Sequence, residues 1–171
     1  MPPRNNAASE RRPVAVRSLH PRLRLPRGGV ARALQVLDAY RGDLALAGSV
    51  LENRAEISVA FLTDAALARL HGDFLGDPAP TDVITFPGEP PFTAGEICVS
   101  VDAARREAGR QFSRELALYL AHGWLHLAGH DDRRPAQKRR MRRAEARALR
   151  ILRSAGALPA FALRPARPPP P

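Results

Sequence analysis

Residues 113–132 read SRELALYLAHGWLHLAGHDD, a long apolar run that ends in a cluster of histidines and aspartates. Nearly every position from 116 to 128 is apolar, which predicts a helix over 113–129 that is buried on most of its sides. The glycine at position 129 suits the left-handed turn that ends many helices. We therefore expect this segment to be the central helix of the core.

Two histidines in this helix have the spacing of a metal site. His122 and His126 stand four residues apart, which places them one turn apart on one face. Two imidazoles at this spacing can bind one metal ion. After the turn, a third ligand can come from His130, Asp131 or Asp132. Three protein ligands with one open position describe a catalytic zinc site.

The rest of the chain alternates between strand and helix patterns. Extended segments are predicted at 14–19, 55–63, 80–87 and 95–101, and helices at 29–48, 64–74, 102–112, 113–129 and 133–153. Asp64 is the predicted N-cap of the second helix. Because the two kinds of element interleave, we predict an α/β fold. Its expected form is a single layered domain, a small mixed sheet of about four strands packed with about five helices.

Composition sets the expected boundaries and compartment. We predict disordered or Pro/Arg-rich tails at 1–12 and 157–171, with the folded domain at 13–156. Cys98 is the single cysteine, so no internal disulfide can form. The N-terminal residues lack the apolar run of a secretory signal, and no stretch has the length of a membrane span. We therefore expect a soluble cytoplasmic protein that does not bind membranes.

The positive charge is concentrated after the histidine cluster. Residues 133–153 hold ten of the 27 basic residues and one of the 17 acidic residues, which accounts for nine of the ten net positive charges. This segment is either an ordinary solvated helix face or a binding surface for a polyanion such as RNA. Five arginines fall along one side of the predicted helix: Arg139, Arg142, Arg143, Arg147 and Arg150. Apolar residues form a different stripe that can pack on the domain: Met141, Ala144, Ala148 and Leu152.

The histidine spacing also matches the metzincin peptidases. Those enzymes need a glutamate directly after the first histidine as general base. Gly123 holds that position here, so the peptidase interpretation loses its key residue. We expect Gly123 to open the helix face beside the metal, where a bulky substrate group could approach.

Four stretches together resemble the YbeY family of bacterial rRNA maturation endoribonucleases. Residues 122–132 resemble the family motif HGxLHLxGYDH, and PTDVITFP at 80–87 resembles PTDVLSFP. GEICVS at 95–100 resembles GDIxIS, and RELALYLAHG at 114–123 resembles the helix that leads into the metal motif. The resemblance covers about residues 14–153. It implies a single mixed α/β domain that holds a zinc ion.

The resemblance also implies a ligand set. His122 and His126 correspond to two of the family's metal ligands, and the third, a histidine, falls on Asp132. Aspartate can coordinate zinc through oxygen, so we expect a His₂Asp site. His130 occupies the position of the usual tyrosine and is the alternative third ligand.

One further departure from the family concerns phosphate chemistry. The family commonly has an arginine where this chain has Leu75, in a segment where His71 replaces an asparagine. An arginine near a metal can neutralise the charge that develops on a reacting phosphate. The two changes together, Leu75 for arginine and Asp132 for histidine, either define a variant of the family or weaken catalysis.

The predicted function is a single-strand-specific, metal-dependent endoribonuclease in small-subunit rRNA processing and ribosome quality control. We expect one Zn²⁺ per chain, with another divalent metal as the alternative, and metal-assisted hydrolysis of the phosphodiester. Asp131 and Asp82 are the candidate proton acceptors. The expected partners are the rRNA precursor and the small ribosomal subunit with its proteins. The alternatives are a non-catalytic RNA-binding assembly factor with a structural metal and, third, a metallopeptidase.

Overall fold

A computed structural model describes residues 11–76 and 81–166 of the chain. Within these residues the strands are β1 (Val14–Ser18), β2 (Leu23–Arg24), β3 (Glu56–Leu62), β4 (Val83–Pro87), β5 (Thr93–Ser100) and β6 (Ala162–Leu163). The main sheet has the order β1-β3-β5-β4, in which β4 alone is antiparallel to its neighbour. The short strands β2 and β6 form a separate antiparallel pair.

Helices cover this sheet. In the described part of the chain they are α1 (Gly29–Ala39), α2 (Arg41–Leu44), α3 (Asp64–Leu75), α4 (Val101–Ala108), α5 (Phe112–Leu127) and α6 (Pro135–Ser154). The predicted fold class, one layered α/β domain with a small mixed sheet, is confirmed. The helix predicted over 29–48 is instead two helices, because the chain leaves helical geometry at Tyr40.

The two faces of the sheet bury alternate residues of the central strands. Ile57, Val59 and Phe61 of β3 belong to the main core together with α5, as predicted for one face of this strand. Ala60 and Cys98 point the other way and pack with α3 in a smaller cluster. Burial raises the pKa of the Cys98 thiol to about 12. Cys98 is thus an unreactive core residue at neutral pH.

Helix α3 begins at Asp64, where the predicted helix began, but the residue before it is the cap, and α4 begins at Val101, one residue before its predicted start. Thr63 caps α3, since its hydroxyl accepts the Ala66 N–H at 3.2 Å. The prediction of Asp64 as N-cap is therefore wrong. The Asp64 carboxylate instead bonds the Ser100 hydroxyl and pairs with Arg106, which ties α3 to α4. A short polar side chain in extended conformation is what capping requires, and Thr63 satisfies it.

Gly123 faces the sheet, so the prediction that it opens a substrate face is also wrong. A Cβ at this position would lie 2.4 Å from Cγ2 of Ile97 and 3.3 Å from Cγ1 of Val83. Both contacts are with strands under α5. The missing side chain allows α5 to approach β4 and β5 closely.

The packed chain extends past both predicted domain boundaries. Arg12 is 2% exposed, and its guanidinium bonds the Asp38 carboxylate and the backbone carbonyl of Leu51. At the other end, Ala157 and Phe161 are buried, and β6 pairs with β2. The remaining parts of the predicted tails, 1–10 and 167–171, lie outside the described residues. Among the helices of the described ranges, none combines the length and apolarity needed to cross a bilayer.

Candidate metal centre and its cleft

Helix α5 brings two imidazole rings together. Nε2 of His122 and Nε2 of His126 lie 2.9 Å apart, and the ring centroids are 4.5 Å apart with the planes nearly perpendicular. This arrangement follows from their separation of four residues on one regular helix. The two Nε2 atoms therefore point toward one common position.

The opposite nitrogen of each ring is engaged. Nδ1 of His122 lies 2.7 Å from Oε1 of Glu145, and Nδ1 of His126 lies 3.0 Å from the backbone oxygen of His130. Both partners are acceptors, so each Nδ1 donates a proton in its bond. In the neutral rings this leaves the Nε2 lone pairs free, which is the tautomer that a metal ligand needs.

Asp132 lies opposite the two imidazoles and is the candidate third ligand. Its carboxylate oxygens lie 3.8 Å from Nε2 of His122 and 3.9 Å from Nε2 of His126. One ligand atom from each of the three residues lies within 4.8 Å of the other two. Gly129, with a φ of +94°, turns the chain after α5 and returns Asp132 to the pair. Two imidazole nitrogens and a carboxylate oxygen form a donor set that fits Zn²⁺.

His130, the alternative third ligand, is engaged elsewhere. Its side chain is buried, and its Nε2 donates to the backbone oxygen of Leu44 at 2.7 Å. The residue contacts the pair through its carbonyl, which accepts from His126. The geometry favours Asp132 over His130 as the third ligand.

The two histidines differ in electrostatic environment. Burial disfavours the charged form of His122, but the hydrogen bond and the charge of Glu145 outweigh it and raise the pKa. For His126, burial and the neighbouring His122 lower the pKa. The difference follows from the contact between Glu145 and His122.

An open cleft of about 530 Å³ lies beside the three residues. Its lining includes His122, Asp132 and Glu145, together with Lys138 and Arg142 from α6. A cleft in which titratable and charged groups converge beside three potential metal ligands is a candidate active site.

The two candidate proton acceptors occupy different environments. Asp82 lines the cleft with an exposed carboxylate, whose Oδ1 also accepts the Val83 N–H at 3.0 Å. Asp131 instead pairs with Arg133 at 2.7 Å and accepts the Asp132 N–H. The hydrogen bond with Arg133 lowers the pKa of Asp131 to about 2. An acid this strong is a poor proton acceptor at neutral pH.

Helix α6 has an exposed basic side and a buried apolar side, as the sequence predicted. All five arginines of the predicted stripe are exposed, and Met141, Ala148 and Leu152 are buried. The five do not share one environment, because Arg142 also lines the cleft and Arg147 pairs with Asp43 at 3.4 Å. Three remain directed to solvent away from these contacts: Arg139, Arg143 and Arg150.

Sequence reasoning missed Glu145. In the sequence it stands out only as the lone acid among ten cations, although its bond to His122 makes it part of the site. A signal was present, since Glu145 follows Ala144 of the inner stripe and so borders the side of α6 that faces the domain.

These features define a class of protein: a mixed α/β domain with two histidines and an aspartate converging beside a cleft, flanked by a basic helix. The sequence model of the family described as "Endoribonuclease YbeY" matches residues 33–153, which is more than half of the chain. The chain belongs to this family.

Individual relatives agree with the assignment. The chain is 37% identical over 128 residues to Endoribonuclease YbeY of Rhodopirellula baltica, covering 68% of this chain and 66% of the relative. It is 44% identical over 99 residues to Endoribonuclease YbeY of Anaeromyxobacter sp. strain Fw109-5, covering 54% of this chain and 52% of the relative. The chain thus spans between half and two thirds of the length of these relatives.

A solved structure supports the fold. The solution structure of the Thermotoga maritima protein TM1509 aligns with a TM-score of 0.52 and 22% identity. The alignment covers 84% of this chain and 94% of that protein. At this identity the likeness concerns the fold alone.

Proposed function

We propose that the protein is a metal-dependent endoribonuclease that cleaves single-stranded segments of rRNA precursors during small-subunit maturation and ribosome quality control. One observation carries this proposal: the Nε2 atoms of His122 and His126 and the carboxylate of Asp132 converge beside an open cleft, in a member of this family. The small ribosomal subunit and its proteins are the proposed partners.

His122, His126 and Asp132 would hold the ion, for which we propose Zn²⁺. A divalent ion in such a site lowers the pKa of water and polarises a phosphate oxygen. The Nδ1 bonds of both histidines keep their Nε2 atoms directed at the site. Asp82 lines the same cleft and is the proposed proton acceptor. Asp131 ranks second, because its carboxylate is already held by Arg133.

The basic helix is the proposed binding surface for the RNA backbone. Lys138 and Arg142 line the cleft, which supports a role for them in contacting the phosphate at the site of cleavage. Arg142 is our candidate for neutralising the charge that develops on that phosphate, since Leu75 stands where the family commonly has an arginine. The outward arginines would hold flanking phosphates through their paired donors.

A chelator experiment tests the proposal. Single-stranded RNA from the end of a small-subunit rRNA precursor is incubated with the protein as purified, after chelation, and after Zn²⁺ is restored, with metal content measured in parallel. We expect cleavage that disappears on chelation and returns with zinc, and little cleavage of a duplex control. Cleavage that persists without metal would contradict the proposal.

The second candidate is a non-catalytic RNA-binding assembly factor with a structural metal. Leu75, at the family's arginine position, is the observation that favours it. RNA binding without cleavage, together with a metal whose removal lowers the melting temperature, would establish this alternative. The metallopeptidase interpretation is not favoured, because Gly123 occupies the position of the required glutamate and the family match points elsewhere.

Salt dependence tests the RNA surface independently of catalysis. Changing Arg139, Arg143 and Arg150 to glutamine should reduce the slope of log K against log salt by about 2, at roughly 0.7 for each single-strand phosphate that is no longer neutralised. Metal content should not change. The matched control changes three exposed arginines on other elements to glutamine: Arg27, Arg69 and Arg110. Equal slopes for the two triple variants would show that α6 is an ordinary solvated surface.

The proposed location is the cytoplasm. The single cysteine is unpaired and buried, as is usual in a reducing compartment. Ribosome precursors of bacteria occupy the same compartment, so the location follows from the proposed substrate.

A further inference from the structure

Glu145 has an unexpected position for the only acid in a strongly basic segment. Arg142 lies three residues before it on α6, and a pair at that spacing could form an ordinary surface ion pair. Instead, Oε1 of Glu145 accepts from Nδ1 of His122 at 2.7 Å. Its side chain is 18% exposed, and that of His122 is 17% exposed. The Glu145 carboxylate therefore bonds His122 and does not project from the solvated face of α6.

The packing of α6 holds this contact in place. Met141 and Ala148, on either side of Glu145 along the helix, are almost completely buried against the domain. They fix the rotation of α6 so that Glu145 faces α5. Because these two buried residues already position the helix, the bond requires ordering of the Glu145 side chain alone and not of the backbone that carries it.

We propose that Glu145 is a positioning residue of the metal centre. By accepting the Nδ1 proton of His122, it selects the tautomer whose Nε2 lone pair faces His126 and Asp132, orients the ring, and makes that nitrogen a stronger donor. Carboxylates behind metal-bound histidines act in this way, and their loss typically weakens metal affinity about 10–100-fold. The inference rests on the proposed metal site.

The contrast with His126 sharpens the inference. His126 donates its Nδ1 proton to a backbone carbonyl, which no side-chain substitution removes. His122 depends on a side chain that is 23 residues away in the chain. The donor strength and orientation of one ligand therefore depend on how α6 packs on α5.

The test measures zinc affinity by competition with a chelator of known affinity, at one pH, for wild type, Glu145→Gln and Glu145→Ala. We expect about 10–100-fold weaker binding for Glu145→Ala. Glu145→Gln keeps an acceptor oxygen but loses the charge, so its zinc affinity should fall between those of wild type and Glu145→Ala. The absorption spectrum of the Co²⁺-substituted protein should shift in the same order, because it reports the ligand field directly.

Glu115→Gln is the matched control, since Glu115 lines the same cleft and its substitution removes the same charge without a bond to His122. Its zinc affinity should stay within about threefold of wild type, since a solvated charge acts weakly at a distance. Glu145→Ala binding within about threefold of wild type, or equal weakening in Glu145→Ala and Glu115→Gln, would overturn the inference.

Two further measurements keep the outcome decisive. If Glu145→Ala does not fold, the isosteric Glu145→Gln variant decides, and wild-type affinity and Co²⁺ spectrum in that variant would overturn the inference.

His122→Ala separates this inference from the proposed function. If His122→Ala retains zinc, the metal site itself is wrong; if it loses zinc while both Glu145 variants bind normally, only the role of Glu145 is wrong.

Discussion

His126→Ala is expected to remove the metal ion and RNA cleavage together. Of the three converging residues, His122 and Asp132 would remain, and zinc sites are normally built from at least three protein ligands. We expect metal content to fall from about one ion per chain to below about 0.1. Cleavage should fall by about a thousandfold or more, because the acidified water that the ion supplies is lost. His122→Ala should behave in the same way.

Three variants of neighbouring residues show whether the effect is specific. Asp132→Asn should also lose metal, whereas Asp131→Asn should retain it, because Asp131 is occupied by Arg133. His130→Ala should retain metal as well, since its imidazole bonds the Leu44 carbonyl. Metal content is measured by elemental analysis and cleavage on the same preparations. Loss of metal in His130→Ala with retention in Asp132→Asn would assign the third ligand to His130.

Gly123→Val is expected to destabilise the folded protein strongly. The first added carbon would lie 2.4 Å from Cγ2 of Ile97, a fully buried β-branched residue of the central strand β5 that cannot move aside easily. Overpacking of this kind costs about 1–3 kcal/mol and occasionally more. Gly123→Ala should also destabilise, although alanine is favoured over glycine in a helix by about 1 kcal/mol. If Gly123→Ala is nevertheless less stable than wild type, the clash with Ile97 costs more free energy than the helix propensity of alanine returns.

The free energy of unfolding of the metal-free protein, from denaturant titration, gives the result without interference from the ion. Gly42→Ala is the matched control, because Gly42 also lies in a helix and an added Cβ would meet nothing within 4 Å. It should leave the protein equally stable or slightly more stable. Unchanged stability of Gly123→Val would show that α5 does not need its close approach to the sheet.

The sequence was sufficient for the features that depend on local geometry. His122 and His126 could be placed on one face because a spacing of four residues is set by the helix itself. The two sides of α6 could be predicted for the same reason, and the buried residues Met141, Ala148 and Leu152 agree with that prediction. Alternating strands and helices were likewise enough to predict the layered α/β fold, because each amphipathic element needs a partner layer.

Gly123 shows where that reasoning fails. Successive residues of a helix are about 100° apart, so Gly123 cannot point in the same direction as His122. The sequence pattern nevertheless predicted that the two share one stripe of the helix, with Gly123 on the face beside the metal. It could not indicate which edge of the stripe meets the sheet, since that depends on how α5 rotates against Ile97 and Val83.

The bonds that complete the site depend on packing between distant segments. Glu145 and His122 are 23 residues apart, and the Leu44 carbonyl that engages His130 is 86 residues from it. The sequence alone determined that His122 and His126 lie one turn apart on one face of a helix. It also determined that a turn with ligand-capable residues follows them. Only the tertiary structure decided that His130 is turned away, that Asp132 faces the pair and that Glu145 stands behind His122. Helical periodicity fixes directions about one axis, whereas these contacts require the relative position and rotation of two or more elements.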